Sequence, residues 1–505
     1  MGIKKYIATK DNTITNGYGL NLSTRQTGSN MGAADILEVY SVYGQYTTSS
    51  AELSRVLVEF PVNKILEDRD NGDVPVSGSV SFYLRMFNAR HSEQLPRDYT
   101  VNVLAVSQSW EEGYGLDMEA YLDETEDQIK GSNWMNRLSD TAWVKVGGDY
   151  HSSSYASGST MPNYTYTFSD GDEDMLLDVT DAVEEWISGN KSNHGFGIFL
   201  TSSYEAYNSN SSGADEDELP HNTSGQTKSF YTKRFFSRTS EFFFKRPALE
   251  ARWDSKVMDD RGNFYASSSI APAADNLNNL YLYNYIRGRL VNIPSTETLT
   301  VEIYSSSAGL PTGSTLTAAT ATNTSTGVYK AEISLATTGT MSASILNDVW
   351  SGSVGGEYKT GSFTVRSFND DSVLVSEDYS QFTTKITNLK SSYREDETAR
   401  LRVFTRPRNF SPTIYTVASK EIQHEIVPSA SFEVVRSVDN GIVITNSTGS
   451  TTQHTHLSYD NSGSYFDLDM SLLEPGYMYG IKLFFYISQK WREQEEVFNF
   501  RVEKS

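Results

Sequence analysis

The sequence predicts an all-β protein built of several sandwiches, and three observations carry that prediction. The chain is 38% hydrophobic and 12% aromatic, with 31 Tyr and 24 Phe set among abundant Ser, Thr, Asn and Gly. Disordered chains are poor in aromatics, and this mixture favours short strands joined by polar turns. Apolar and polar residues alternate over strand-length segments throughout, as in Ser54–Phe60 (S-R-V-L-V-E-F). At 505 residues the chain exceeds what one hydrophobic core can organise, so two to four domains are expected.

Each element follows in order. Ser54–Phe60, Ser79–Met86 and Tyr99–Val106 read as strands bounded by turn residues, with Asn71-Gly72-Asp73 and Gly147-Gly148 as turns. Asp178–Gly189 reads as a short helix. Thr180 or Asp178 can cap its first N–H groups, and Asp181, Glu184 and Glu185 suit the positive end of its dipole. Ala182, Val183, Trp186 and Ile187 share one face, and Gly189 can end the helix in a left-handed conformation. Ser152–Thr160 and Asn208–Thr227 are rich in Ser, Gly, Asn and acids and read as long exposed loops. Phe242–Trp253 reads as a last strand returning to the core, closing a domain over residues 1–253. Residues 254–279 have weak periodicity and read as a linker wrapped against a neighbouring surface. Residues 280–367 carry new strands, among them Tyr281–Tyr285, Leu299–Tyr304 and Val328–Ile333, and the size suits an immunoglobulin-like sandwich. A second linker over 368–398 leads to another such sandwich over 399–505, with strands at Arg400–Thr405, Phe432–Val438 and Tyr479–Ile487.

Charge and composition narrow the function. A net charge of −22 repels polyanions, which argues against binding nucleic acid or an anionic membrane surface. Without a cysteine there is no disulfide, thiolate metal site or Cys nucleophile. The opening Met1-Gly2-Ile3-Lys4-Lys5-Tyr6 has no apolar core of a secretory signal, and Tyr6 stands where a myristoylation signal needs Ser or Thr. No apolar run is long enough to span a membrane as a helix, so a soluble protein made in the cytosol is expected.

The first half carries a series of ordered landmarks. They are Asp11-Asn12-Thr13, Asn30-Met31-Gly32, Leu37-Glu38-Val39, the Arg-containing strand Arg55–Phe60 and the strand Ser79–Leu84. The paired tryptophan motifs Trp110-Glu111-Glu112-Gly113 and Asn133-Trp134-Met135-Asn136 follow. Then come Asp178-Val179-Thr180 with Trp186, the strand Asn193–Ile198 and the closing Arg246-Pro247-Ala248-Leu249. In this order they resemble the DNRLRE domain family, jelly-roll-like sandwiches related to carbohydrate-binding modules; the resemblance covers residues 6 to 253 and implies a jelly-roll-like domain there, followed by the two smaller immunoglobulin-like sandwiches. Insertions at Tyr114–Ile129 and Tyr204–Thr227 depart from the usual module; they would cover a sugar-binding face or create a protein interface. Through the Asp11–Asn16 opening and the passage from Lys245-Arg246-Pro247 to Asp260-Arg261-Gly262-Asn263, the whole chain is also similar to virion structural proteins of tailed phages, particularly marine and cyanobacterial ones.

Candidate chemical sites are few. Asp170-Gly171-Asp172-Glu173-Asp174 could supply Asp170, Asp172 and Asp174 to a structural Ca²⁺, although the spacing is not that of an EF-hand and a solvated turn explains it as well. Asp215-Glu216-Asp217-Glu218 reads as a solvated charge run. None of the seven His forms a zinc helix. His454-Thr455-His456 would put two imidazoles on one face if the segment were a strand, without an evident third metal ligand. No Walker loop, dinucleotide fingerprint or nucleophile elbow is present, and no pair of carboxylates stands out as a glycosidase pair. Trp110, Trp134, Trp143 and Trp186 could stack on sugars, but in a sandwich they are better explained as core. Three consecutive phenylalanines, Phe242-Phe243-Phe244, cannot all face one core from a strand, so at least one should meet a second layer, a neighbouring domain or another subunit.

These readings imply a non-enzymatic structural protein of a bacteriophage particle, in the head, neck, tail or baseplate. It would be made in the host cytoplasm and would contact other virion proteins and copies of itself. No cofactor, nucleic acid or membrane is expected, and a surface glycan is the further partner to consider. A carbohydrate-binding adhesin is the main rival; a polysaccharide-degrading enzyme is the more distant one, because the fold alone does not choose.

Overall fold

The computed structural model describes all residues except 1, 20, 22, 43–50, 92–94, 117–130, 152–160, 210–218, 270, 308–309, 337–344, 355, 367–381, 409, 412–413, 415–423, 450–452, 488 and 505. The acidic run 215–218, the loop 152–160, and parts of both insertions and of the second linker lie outside the described residues. The protein is all-β, with two short α-helices among the described residues. Its chain divides into two compact units, Ile3–Trp253 and Asp254–Ser505, the latter joined by Met1–Gly2.

The first unit is a two-sheet sandwich. In chain order its elements are β1 (Ile3–Ile7), β2 (Lys10–Thr15), β3 (Ile36–Val42), β4 (Glu52–Glu59), α1 (Val62–Asp70), β5 (Ser81–Met86), β6 (Tyr99–Ala105) and the short pair β7 (Asn136–Leu138) and β8 (Thr141–Ala142). There follow β9 (Asn163–Phe168), β10 (Met175–Asp178), α2 (Thr180–Ile187), β11 (Phe196–Leu200), β12 (Phe230–Phe236) and β13 (Ala248–Arg252). One sheet has the order β1-β13-β5-β10. The other runs β12-β3-β4-β11-β6-β9, with β2 paired to β4, and every pairing in both is antiparallel. Alternation places Val56, Val58 and Phe60 between the sheets with Phe82, Leu84, Val101, Val103, Phe196 and Leu249. Leu53, Arg55 and Leu57 therefore point out of the other face of the large sheet.

The helix expected near 178–189 is α2, and Gly189 ends it at φ +74°. Its start differs from the expectation. Val179 stands at the cap position, Asp178 Oδ1 accepts the Thr180 N–H at 3.0 Å, and the Thr180 hydroxyl is taken by Phe82 N. The Tyr164 hydroxyl accepts from Ala182 N, so a strand residue satisfies a helix donor. Helix α1 was not expected from the alternation. Val62 and Ile65 are buried one turn apart, buried Asp68 accepts from Tyr6 Oη at 2.7 Å, and Arg69 grips Glu184 of α2 with two bonds.

The second unit holds two sandwiches. The first contains β14 (Phe264–Tyr265), β15 (Asn278–Tyr283), the hairpin β16 (Tyr285–Ile286) and β17 (Arg289–Leu290), β18 (Leu299–Ser307), β19 (Leu310–Thr320), β20 (Thr322–Ser325), β21 (Val328–Ile333), β22 (Ile345–Gly352) and β23 (Gly356–Arg366). A five-stranded sheet β14-β23-β22-β18-β19 faces a three-stranded sheet β15-β21-β20 over a core that includes Phe264, Leu280, Val301, Ile303, Trp350 and Phe363. The other sandwich contains β24 (Phe382–Ile386), β25 (Ser392–Arg394), β26 (Thr398–Pro407), β27 (Ala430–Arg436), β28 (Gly441–Ile444), β29 (Ser458–Asp460), β30 (Gly463–Asp469), β31 (Met478–Ile487), β32 (Lys490–Glu493) and β33 (Phe498–Glu503). Its sheets are β24-β26-β30-β29 and β25-β33-β31-β27-β28, with β32 on β31; Phe432 and Phe466 stack at 4.1 Å in its core.

The segment 254–279, read from sequence as a linker, supplies strand β14, which pairs parallel to β23 at Phe264↔Val365. It also carries buried Arg261, whose guanidinium reaches Asp348 Oδ2 at 2.6 Å, Asp259 and the Tyr281 carbonyl at 2.8 Å. Weak periodicity concealed this because buried Asp259, Asp260 and Arg261 stand beside the few buried apolar residues, Phe264 and Ala266, and period analysis counts only apolar ones.

Candidate functional site

The outward face of the large sheet in the first unit is the most elaborated part of the molecule. Leu53 and Leu57 of β4 and Ile14 of β2 lie there under a second apolar core made by loops: Val106, Trp110, Trp134, Trp143, Ala206 and Leu219. Trp110 is 2% exposed, Trp134 0% and Trp143 5%. Trp110 Nε1 donates to the His194 carbonyl and Trp143 Nε1 to the Asn133 carbonyl, both at 2.9 Å. Trp186 lies in the other core, against Phe196. All four tryptophans are therefore packing residues, as their place in a sandwich implied.

Arg55 stands at the centre of this covered face. Its guanidinium donates to the Gly147 carbonyl at 3.0 Å and pairs with Glu205 at 3.3 Å. It also sits 4.6 Å from the Phe199 ring centre and 5.5 Å from that of Trp134. A buried arginine needs its charge met and its stem packed, and here the 147 loop and the 205 loop do both. The pairing ties those two loops to β4.

At the edge of this face, landmarks far apart in sequence meet in a clamp. Asn12 Nδ2 donates to the Ser132 carbonyl (2.8 Å), and Asn30 Nδ2 donates to the carbonyls of Glu112 (2.7 Å) and Ser132 (2.8 Å). Asn30 Oδ1 accepts from the backbone of Gly32 and Gly115. Arg238 donates twice to the Glu112 carboxylate, and its backbone N–H donates to Asp11 Oδ2 at 2.6 Å. Gly131 sits at φ +128°, and a Cβ there would lie 2.5 Å from Gly113 Cα, so the two ends of the first insertion run against each other. Burial pushes the Asp11 carboxyl up to about 7, with Glu112 adding to the rise and Arg238 opposing it. A shifted carboxyl marks a candidate acid, but Asp11 is 1% exposed and its bonded oxygen serves a backbone donor. This arrangement positions loops. Asp11, Asn12, Asn30 and Glu112 stand among the resemblance landmarks, but no local pattern shows that they belong to one bonded cluster, because partners lie up to 227 positions apart.

The remaining sequence candidates fall elsewhere. Asp170, Asp172 and Asp174 are not gathered: among the described residues no three acidic or His side chains could hold a metal. Glu173 caps the turn through Asp170 N and Gly171 N, and Asp174 Oδ1 accepts from Asn88 N. The cation in this turn is the Lys233 ammonium, held by the Gly171 carbonyl (3.0 Å), the Glu173 carbonyl (2.7 Å) and Asn88 Oδ1 (2.8 Å). His454 lies in a turn and His456 makes a single antiparallel bridge to Ser431, so the two do not share a strand. His454 is buried, whereas His456 Nε2 meets the Ser447 carbonyl and its ring lies 5.5 Å from that of Trp491. Phe242–Pro247 is likewise no strand. Phe243–Lys245 forms a 3-10 turn, Pro247 lacks a ladder donor, and the closing strand begins at Ala248. Phe242 and Phe243 are left 44% and 39% exposed.

No family model matches the chain, and no curated protein matches it. Among solved structures, a tandem pair of titin Ig domains aligns over 41% of this chain and 80% of its own, at 13% identity and a TM-score of 0.15. The FN1–FN3 domains of chicken CNTN1 align over 55% and 82%, at 10% identity and a TM-score of 0.15. A DUF4785 family protein from Legionella pneumophila aligns over 97% and 93%, at 6% identity and a TM-score of 0.14.

Proposed function

We propose that the protein is a non-enzymatic structural component of a bacteriophage particle that works through contacts with other virion proteins and with copies of itself. The observation that supports this most is the covering of the large sheet's outward face. Trp110, Trp134 and Trp143, which would be stacking platforms in a sugar-binding module, are buried in a core that Ala206 and Leu219 of the second insertion join. Tryptophans spent on holding loops leave the loops themselves as the working surface, and loops on a rigid scaffold are where recognition concentrates. Exposed Phe242 and Phe243 add an apolar patch of the kind that partners cover.

Mass spectrometry of purified particles, followed by tracing the chain in a cryo-EM map, tests the proposal. Ordered density with broad contacts from the 105–150 and 200–228 loops to neighbouring subunits is the expected result. Absence of the chain from the particle overturns the proposal, and density confined to a mobile tip with no subunit contacts replaces it with receptor binding.

A further inference from the structure

The first sandwich of the second unit carries an open groove of about 670 Å³ at one end, lined by Asn292, Ile293, Glu297, Leu299, Asn323 and Tyr329 among others. Its floor is apolar and buried: Ile293 is 6% exposed, Leu299 3% and Tyr329 7%. The Tyr329 hydroxyl is used up, accepting from Ile293 N at 2.7 Å. Polar groups on the walls are held in place by other elements. Tyr358 of β23 donates to Glu297 Oε2 at 2.8 Å, and Gly352 of β22 leaves the room that this oxygen fills, since a Cβ there would lie 2.0 Å from it. Asn292 Oδ1 accepts from Gly327 N (2.7 Å) and from Asn323 Nδ2 (3.3 Å), and Asn323 Nδ2 also donates to the Ser325 carbonyl at 2.9 Å.

These bonds use one end of each polar side chain and leave the other end open. Glu297 Oε1, Asn292 Nδ2 and Asn323 Oδ1 make no hydrogen bond among the described residues. The groove thus offers two acceptors and one amide donor above an aliphatic floor. Glu297 is the one charged group in the lining, so an anionic ligand is disfavoured. Alternating donors and acceptors over a C–H surface match a ring that carries hydroxyls on its rim and hydrogens on its face.

We propose that this groove binds a neutral sugar residue, with Glu297 and Asn323 accepting its hydroxyl protons, Asn292 donating to a ring or hydroxyl oxygen, and Ile293 and Leu299 under its apolar face. The site lies outside the jelly-roll-like domain and does not depend on the structural role proposed above. Saturation-transfer NMR on the full-length chain tests it, with glucose, galactose, mannose, rhamnose, fucose and N-acetylglucosamine as probes at up to 10 mM. At least one probe is expected to show ring-proton saturation, with Glu297→Ala and Asn323→Ala each weakening binding tenfold or more. Tyr358→Phe, which only frees Glu297 to move, is expected to weaken it a few-fold at an unchanged melting temperature, so loss of folding is told apart from loss of the site. No saturation by any probe, or binding that both alanine variants leave intact, overturns the proposal.

Discussion

Glu250 shows how a single side chain can carry much of a sheet's stability. It is 0% exposed on β13, with Arg85 at 3.1 Å, Arg252 at 2.5 Å and Lys5 at 3.5 Å. Burial by itself would raise its carboxyl, but Lys5, Arg85 and Arg252 outweigh burial and hold it well below the usual carboxylate range. A carboxyl depressed on folding stabilises above its unfolded titration range, and that stability is lost as pH falls through the folded one. Glu250→Gln removes the only anion in the group and leaves three cations facing each other. A loss on the order of 3–5 kcal/mol at pH 7 is expected, shrinking toward low pH. Urea unfolding of wild type and variant at pH 7 and pH 3 checks this, and an equal loss at both would refute the charge argument. Asp11 has the opposite sign. Its folded carboxyl is raised to about 7, so its contribution is fully present below the unfolded range near 4 and is lost as pH climbs through 7. Asp11→Asn should therefore flatten the decline in stability between about pH 4 and 7, read from melting temperatures across that range.

Among elements, the turn between β9 and β10 sets a residue pattern against its geometry. Five residues rich in carboxylates suggested calcium, yet the oxygens that converge belong to two backbone carbonyls and Asn88, and a lysine from β12 fills the place between them. Burial lowers the Lys233 ammonium to about 8, with Glu173, Asp174 and Asp172 pulling it back up, so it stays charged at neutral pH. Millimolar calcium or a chelator should leave the melting temperature unmoved. Lys233→Met, which strands three acceptors, should cost roughly 2–4 kcal/mol in chemical denaturation. A calcium-dependent shift in the wild type would reinstate the metal reading. Period-2 segments such as 54–60 and 99–106, and the amphipathic run of α2, were legible because their apolar residues mark the buried face at each step. Helix α1 was not, since it is a short run in which Leu66, the third apolar residue beside Val62 and Ile65, is exposed and the third buried residue is Asp68. The loop clamp and the Lys233 site were hidden for a related reason: polar residues become buried only through partners far along the chain, and no local pattern announces the partner.

For the molecule as a whole, the decisive region is 254–283 within the second unit. Asp260 accepts from Asn279 N at 2.6 Å and from the Tyr459 hydroxyl at 2.7 Å, which joins one sandwich to the other. The backbone continues the tie: Asp259 N donates to the Tyr459 carbonyl and Tyr459 N to the Val257 carbonyl, each at 3.0 Å. Arg261, the next residue along the chain, is anchored on Asp348 and the Tyr281 carbonyl. A flexible tether would let the two sandwiches unfold separately, whereas a buried polar joint makes the unfolding of one strand the donors and acceptors of the other. Calorimetry of the full-length chain should then show two transitions, one for each compact unit. Asp260→Ala removes the acceptor shared by Asn279 and Tyr459 and should split the second transition, while Tyr459→Phe, which keeps the ring and the backbone ties, should lower it without splitting. Three transitions in the wild type would mean that the joint does not couple the sandwiches. Two transitions that persist in Asp260→Ala would assign the coupling to the backbone contacts at 257–259 and not to the carboxylate.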